Sequence, residues 1–305
     1  MKQHFVGLIA APFTPLKPDR SLDLDTVEVL AASLSANGVR GAFVCGTTGE
    51  STSLTVDERM RVAERWQAAA GKDLAVIVHA GHLCLDDAKA IARHASRIGA
   101  DAIAGSAPFY LKPRSVEELV AFLAELAAAA PDLPFYYYHI PALTGVDFPM
   151  VEFLRAGMKR MPNLAGLKFT HEDLLDFHRC VDFEDGRFDV LFGRDEILLA
   201  ALALGARGAV GSTYNFAAPL YQHVIEAFRS GDLAAARAHQ ARARDLVVVL
   251  RRFGGLPAGK TIMNVIGLDC GPVRLPLIDL TDAQREALRA DLDRIGFFQY
   301  CSRSR

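Results

Sequence analysis

The chain has 305 residues, 51% of them hydrophobic and 23% charged, with 34 Lys+Arg against 36 Asp+Glu. That composition is that of a packed soluble globular protein, and a formal net charge of -2 gives no reason to expect nucleic acid or another polyanion as a partner. Cys45, Cys84, Cys180, Cys270 and Cys301 are scattered without C-x-x-C pairs, which argues against a structural zinc or redox motif and for a reducing, cytoplasmic setting.

The opening stretch MKQHFVGLIAAPFTPL is broken by Pro12 and Pro15 and is too short for a secretory core or a membrane span. Within it, FVGLIA is the first candidate strand. The second, GAFVCG, runs into GTTGES at residues 46–51. There two glycines free the backbone, and Thr47 and Thr48 add hydroxyls to amides able to converge on an anion such as a carboxylate. An ordinary loop with capping hydroxyls has the same composition. TVDE then reads as a capping box, Thr55 with Glu58, and starts a helix.

The third strand, LAVIVHA, is followed by a second histidine, giving the pair His79 and His82. Two histidines without a third ligand at useful spacing predict packing and capping roles, and no metal site is expected. DAIAGSA is the fourth strand. It leads through APFYLKP, which carries Tyr110, to SVEE, read as a second capping box from Ser115 and Glu118. The fifth strand, LPFYYYHI, alternates so that Tyr136 and Tyr138 share one face and Tyr137 takes the other. Tyr138, nearest the strand end, either meets a substrate or is core with its hydroxyl satisfied.

LAGLKFT, the sixth strand, sets Lys168 in an apolar run two residues before Thr170. Desolvation lowers a lysine's pKa and leaves a neutral amine for attack on a carbonyl, which is Schiff-base chemistry. Snorkelling to solvent at the strand edge is the alternative. FDVLFG runs on into GRDE with Asp195 and Glu196, and RGAVGS into STYN with Ser212 and Thr213, polar groups that suit a polyhydroxylated ligand. The two acids equally suit the start of the following helix.

Eight apolar strands separated by helical patterns predict an α/β fold, a closed (β/α)8 TIM barrel whose chemistry lies at the C-terminal strand ends; an open doubly wound sheet is the alternative. From Asp232 onward the patterns are helical, DLAAARAHQARARDLVVVLRRF and TDAQREALRADLDRIGF. The expected division is a barrel at residues 1–230 and a C-terminal helical extension at 231–305, packed on the barrel or on another subunit. The basic cluster around Arg242 reads as a solvated helix face. Between the helical patterns, GGLPAGKT fits the phosphate-loop pattern G-x-x-x-x-G-K-[ST]. A working phosphate loop follows a parallel strand and needs a magnesium-binding acid on another. Here the preceding run continues a helix, and Asp279 in LPLIDL sits behind Pro276. The expectation is a turn between two helices, with Lys260 starting the second.

Taken together, GTTGE, YYYHIPALTG, GLKFT, GRDE and GAVGSTYN, in this order, resemble the N-acetylneuraminate lyases of the pyruvate-dependent class I aldolase superfamily, closer to the animal type than to the enterobacterial type. The resemblance spans nearly the whole chain. It implies a homotetramer that cleaves sialic acid reversibly to N-acetylmannosamine and pyruvate without a cofactor, through a covalent imine on Lys168. It further implies that Tyr138 moves the proton at the C4 hydroxyl, Thr47 and Thr48 hold the carboxylate, Thr170 lies beside the reacting hydroxyl, and Gly193, Asp195, Glu196 and Ser212 hold the polyol. Tyr110 matches a tyrosine that in related aldolases reaches a neighbouring subunit's site. The chain departs from relatives at His139 and Arg194, which leaves the preferred sugar open. Dihydrodipicolinate synthases place an arginine shortly after the strand-five motif, where this chain has Ala142 and Leu143. A 2-keto-3-deoxy sugar acid aldolase shares the imine chemistry. A silent binding protein of the same fold would be marked by loss of the lysine or tyrosine, and both are present.

Overall fold

The computed structural model describes residues 4–303, so the first three residues of the opening stretch lie outside it. Eight parallel strands close into a barrel in sequence order: β1 Gly7–Ala10, β2 Gly41–Val44, β3 Ala75–His79, β4 Ala102–Ser106, β5 Phe135–His139, β6 Leu164–Phe169, β7 Asp189–Phe192 and β8 Gly208–Gly211. Each lies inside its predicted segment, and the pairing of β1 with β8 removes the open-sheet alternative. Around them run α1 Thr26–Ala36, α2 Val56–Ala69, α3 Leu85–Arg97, α4 Val116–Ala127, the short α5 Pro141–Thr144, α6 Met150–Gly157, α7 Leu174–Asp182, α8 Leu198–Ala203 and α9 Tyr214–Arg229. No helix among the described residues is long and apolar enough to cross a membrane.

Strand alternation divides the core. Ile9, Phe43, Ile77, Tyr136, Tyr138, Leu191 and Val210 point inward and fill the barrel, while Phe135, Tyr137, Leu167 and Phe169 point outward against the helices. Tyr136 anchors the lower end, its hydroxyl donating to Asp189 Oδ2 at 2.9 Å.

The capping box at α2 is complete, with Thr55 and Glu58 exchanging both bonds. That at α4 is half formed. Ser115 accepts from the Glu118 N–H, but the Glu118 carboxylate turns to Arg114, which offers a backbone N–H and a guanidinium.

The chain after the barrel is helical: α10 Leu233–Arg252, α11 Leu256–Val265 and α12 Asp282–Arg294. Arg237, Arg242 and Arg244 lie on the exposed face of α10, as a solvated helix face requires. GGLPAGKT follows a helix, and LPLIDL forms no strand. The helix start, however, is earlier than the sequence suggests. α11 begins at Leu256 with Pro257 in its first turn, where a missing N–H costs nothing, so Lys260 lies one turn inside and points inward.

Candidate active site

The register between β5 and β6 pairs Tyr138 with Lys168, and both side chains enter the barrel mouth. Lys168 Nζ lies 3.9 Å from the ring centroids of both Phe43 and Tyr138. The lysine is 3% exposed, so it does not snorkel. Burial pulls its amine down to about 7, with nearby Asp195 opposing the shift. A large share of the amine is therefore neutral and nucleophilic near neutral pH.

Burial raises Tyr138 to about 12, with the Thr47 and Thr170 hydroxyls opposing it, so it stands as the phenol. Its oxygen lies 3.3 Å from Thr47 Oγ1. On its other side the ring meets His79 edge-on, with centroids 5.7 Å apart. His79 Nδ1 donates to the Cys45 carbonyl at 3.1 Å, leaving Nε2 as acceptor for the Ser106 hydroxyl at 3.3 Å. Burial pushes this imidazole down to about 3, which keeps it neutral. Below it, Arg59 donates to the carbonyls of His79 at 2.6 Å and Gly81 at 3.0 Å and fixes the end of β3. His82 accepts from the Cys84 N–H at 3.1 Å in the loop between β3 and α3, and α3 itself has no side-chain cap.

Thr47, Thr48, Tyr138, Lys168, Thr170, Gly193, Asp195, Glu196 and Ser212 all line one cavity of about 210 Å³. Three polar atoms of its lining residues, Thr170 Oγ1, Arg194 Nε and Asp195 Oδ1, are buried without a hydrogen-bond partner among the described residues. Such atoms suit a ligand rich in hydroxyls. The other Asp195 oxygen accepts from the Thr213 hydroxyl at 2.6 Å and N–H at 3.2 Å, and burial lifts this acid to about 6. Asp195 thus lines the cavity and also starts the short 3-10 helix Asp195–Ile197. The glycines at the strand ends have a steric cause: a Cβ at Gly193 would strike Thr170, and one at Gly211 would strike Asp195.

Glu196 is held by Arg194 at 3.3 Å and by Arg251 of α10, and Arg194 also pairs with Glu172. Helix α10 thereby contributes Val247, Leu250 and Arg251 to the cavity wall, a contribution with no signal in the sequence. Tyr110 lines neither this cavity nor a second one of about 390 Å³ that shares Thr47 and Tyr138 and includes Arg59, His79 and Ser106. It stands 82% exposed on the loop after β4.

The threonine loop is shaped by two left-handed residues, Cys45 and Glu50, each with φ 55°. Thr14 donates to the Gly49 carbonyl at 2.7 Å. Glu50 does not face the cavity. Its Oε2 accepts from the Arg274 N–H at 2.8 Å, and its Oε1 pairs at 2.8 Å with Lys260, the lysine of GGLPAGKT. Both members are buried, and Lys260 also donates to the Pro272 carbonyl at 2.6 Å. Lys260→Met leaves an uncompensated carboxylate inside the protein. The expected loss is ~3–5 kcal/mol of stability, read as a lower urea midpoint; an unchanged midpoint would show that the pair contributes nothing net.

The sequence profile of the Dihydrodipicolinate synthetase family matches residues 4–295. N-acetylneuraminate lyase from Rattus norvegicus is 42% identical, with 98% of this chain and 95% of the relative covered. N-acetylneuraminate lyase A from Xenopus laevis is 46% identical, covering 89% and 90% respectively. Among solved structures, Proteus mirabilis N-acetylneuraminate lyase superposes with a TM-score of 0.94 at 41% identity, covering 97% of this chain and all of its own. The chain therefore belongs to the dihydrodipicolinate synthetase family, as a relative of its N-acetylneuraminate lyases.

Proposed function

We propose that this enzyme is a class I aldolase that reversibly cleaves N-acetylneuraminate to N-acetylmannosamine and pyruvate through an imine on Lys168. The observation that carries the reading is the buried Lys168 amine, drawn down to about 7 and paired in register with Tyr138.

The neutral amine attacks the C2 carbonyl of the open-chain sugar acid, and the carbinolamine takes up one proton from solvent as it loses water, giving a protonated imine; the final hydrolysis releases that proton again. The imine is the electron sink. As the C4 hydroxyl loses its proton to Tyr138, the C3–C4 bond breaks, C4 becomes the aldehyde of the departing amino sugar, and the electron pair moves through C3 into the imine as an enamine. Tyr138, already a phenol, hands its own proton through Thr47 to the substrate carboxylate, which Thr47 and Thr48 hold. The same proton returns to C3, and hydrolysis releases pyruvate and the free lysine. Thr170 Oγ1 and Asp195 Oδ1, both without a partner by geometry among the described residues, bond the reacting hydroxyl and the polyol, with Gly193, Glu196 and Ser212 completing the wall.

The same reading makes the protein cytoplasmic, where its five free cysteines stay reduced, and a homotetramer. Support for assembly is the exposed apolar group Phe109, Tyr110 and Leu111 on the loop after β4 and Leu143 on α5, at the second cavity.

A coupled pyruvate-release assay with N-acetylneuraminate, N-glycolylneuraminate and 2-keto-3-deoxygluconate tests the substrate class. The expected result is turnover of the two sialic acids with the deoxy sugar acid well behind. Release from 2-keto-3-deoxygluconate alone would overturn the sialic acid reading and keep the imine.

A further inference from the structure

On the outer side of the barrel, away from the catalytic cavity, the structure gathers His139, Asp147 and His171. One ligand atom from each lies within 4.8 Å of the other two. His139 ends β5 and, like Tyr137, is on the strand's outward face. His171 follows Thr170 beyond β6, and Asp147 comes from the loop between α5 and α6. None lines either cavity at the barrel mouth.

Two further observations point to a ligand here. His139 is 1% exposed, yet its Nδ1 has no hydrogen-bond partner among the described residues. The adjacent Tyr137 hydroxyl is also buried and partnerless among them. Buried polar groups are nearly always satisfied, so two orphans beside one cluster need a cause. The His139 and His171 rings meet edge to face with centroids 5.5 Å apart, and His171 Nδ1 lies 4.0 Å from Asp147 Oδ1.

We propose that His139, His171 and Asp147 bind one divalent transition-metal ion of the zinc type, with water completing the coordination. Two imidazoles and one carboxylate form the donor set that zinc and cobalt favour, whereas magnesium and calcium require mostly oxygen ligands. Zinc bonds of roughly 2.0–2.1 Å set tetrahedral ligand atoms about 3.3 Å apart, so the cluster has to tighten by about 1 Å. Asp147 can supply that movement, since its side chain is 62% exposed and belongs to a loop. His139 stays fixed by packing against Phe169, centroids 5.2 Å apart. The ion would fasten the α5–α6 loop to the ends of β5 and β6, one residue beyond Tyr138 and Thr170. Its role is structural, and the imine chemistry needs nothing from it. The histidines of HAGH take no part.

The test titrates EDTA-treated full-length protein with Co²⁺, followed by visible absorption, and then displaces it with Zn²⁺. The expected result is one Co²⁺ per chain with bands of tetrahedral or five-coordinate cobalt, displacement by one Zn²⁺, and a higher melting temperature for the loaded protein. Asp147→Ala and His171→Ala, both at partly exposed positions, should each weaken binding at least tenfold. His239→Ala serves as a control, because His239 and His223 form a separate pair with ring centroids 5.1 Å apart; it should leave binding unchanged. Absence of saturable one-to-one binding, or binding that survives His171→Ala and is lost in His239→Ala, would overturn the assignment.

Discussion

Lys168→Ala is expected to lose sugar-acid cleavage by about 10⁴-fold or more in kcat, the order found when a covalent nucleophile is removed. Incubation of the wild type with pyruvate and cyanoborohydride should leave one pyruvyl-derived adduct on Lys168, and the alanine variant should carry none. The rate of adduct formation has a predicted pH dependence. Only the neutral amine attacks, and burial sets its titration near about 7, so the rate should fall about tenfold per unit below that value and level off above it. A midpoint near that of free lysine would show that burial does not tune the amine. Lys260 is the internal control, since its ammonium is engaged by Glu50 and the Pro272 carbonyl. An adduct on Lys260 in place of Lys168 would sink the mechanism.

The second large effect separates bond cleavage from imine formation. Tyr138→Phe removes the hydroxyl but keeps the ring beside the lysine, so the borohydride adduct should still form. Turnover should drop by ~10²–10⁴, the usual contribution of a positioned proton carrier. Burial holds Tyr138 as the phenol, so no loss of activity should appear on the acid side from its own titration. Thr47→Val, which removes the hydroxyl 3.3 Å from the Tyr138 oxygen, should lower kcat in the same direction while weakening carboxylate binding. Unchanged turnover in Tyr138→Phe would remove the tyrosine as proton carrier.

The strands and the lysine were legible in the sequence for one reason. Residues buried on both faces of a parallel barrel leave unbroken apolar runs, and a charge inside such a run stands out, as Lys168 does in LAGLKF. What surrounds the lysine is not legible. Phe43 and His79 read as ordinary strand residues, and only barrel closure sets one beside the amine and the other edge-on to Tyr138. Local rules failed where a neighbour competed. Thr55 keeps a full capping box, while Arg114 draws the Glu118 carboxylate away from Ser115. In GGLPAGKT the pattern drew attention to Lys260, but its ion-pair partner lies far back in the chain, and no spacing rule links the two. Asp195 admitted two readings, and the fold bears out both, since it starts the short 3-10 helix Asp195–Ile197 and lines the cavity.

The Glu50–Lys260 pair also bears on how this protein can be divided. The first eight βα units contain every residue that touches the reacting atoms in the mechanism above, which suggests a minimal catalyst ending near Gly231. Cutting there would remove both groups that hold the Glu50 carboxylate, the Lys260 ammonium and the Arg274 N–H, close to the two threonines proposed to receive the substrate's own carboxylate, and would strip Arg251 from the cavity wall. The negative charge left behind would repel the group the loop has to capture. Barrel and terminal helices are therefore not interchangeable modules. A graft onto another barrel, or a shortened version, has to carry Lys260 along or neutralise Glu50 at the same time.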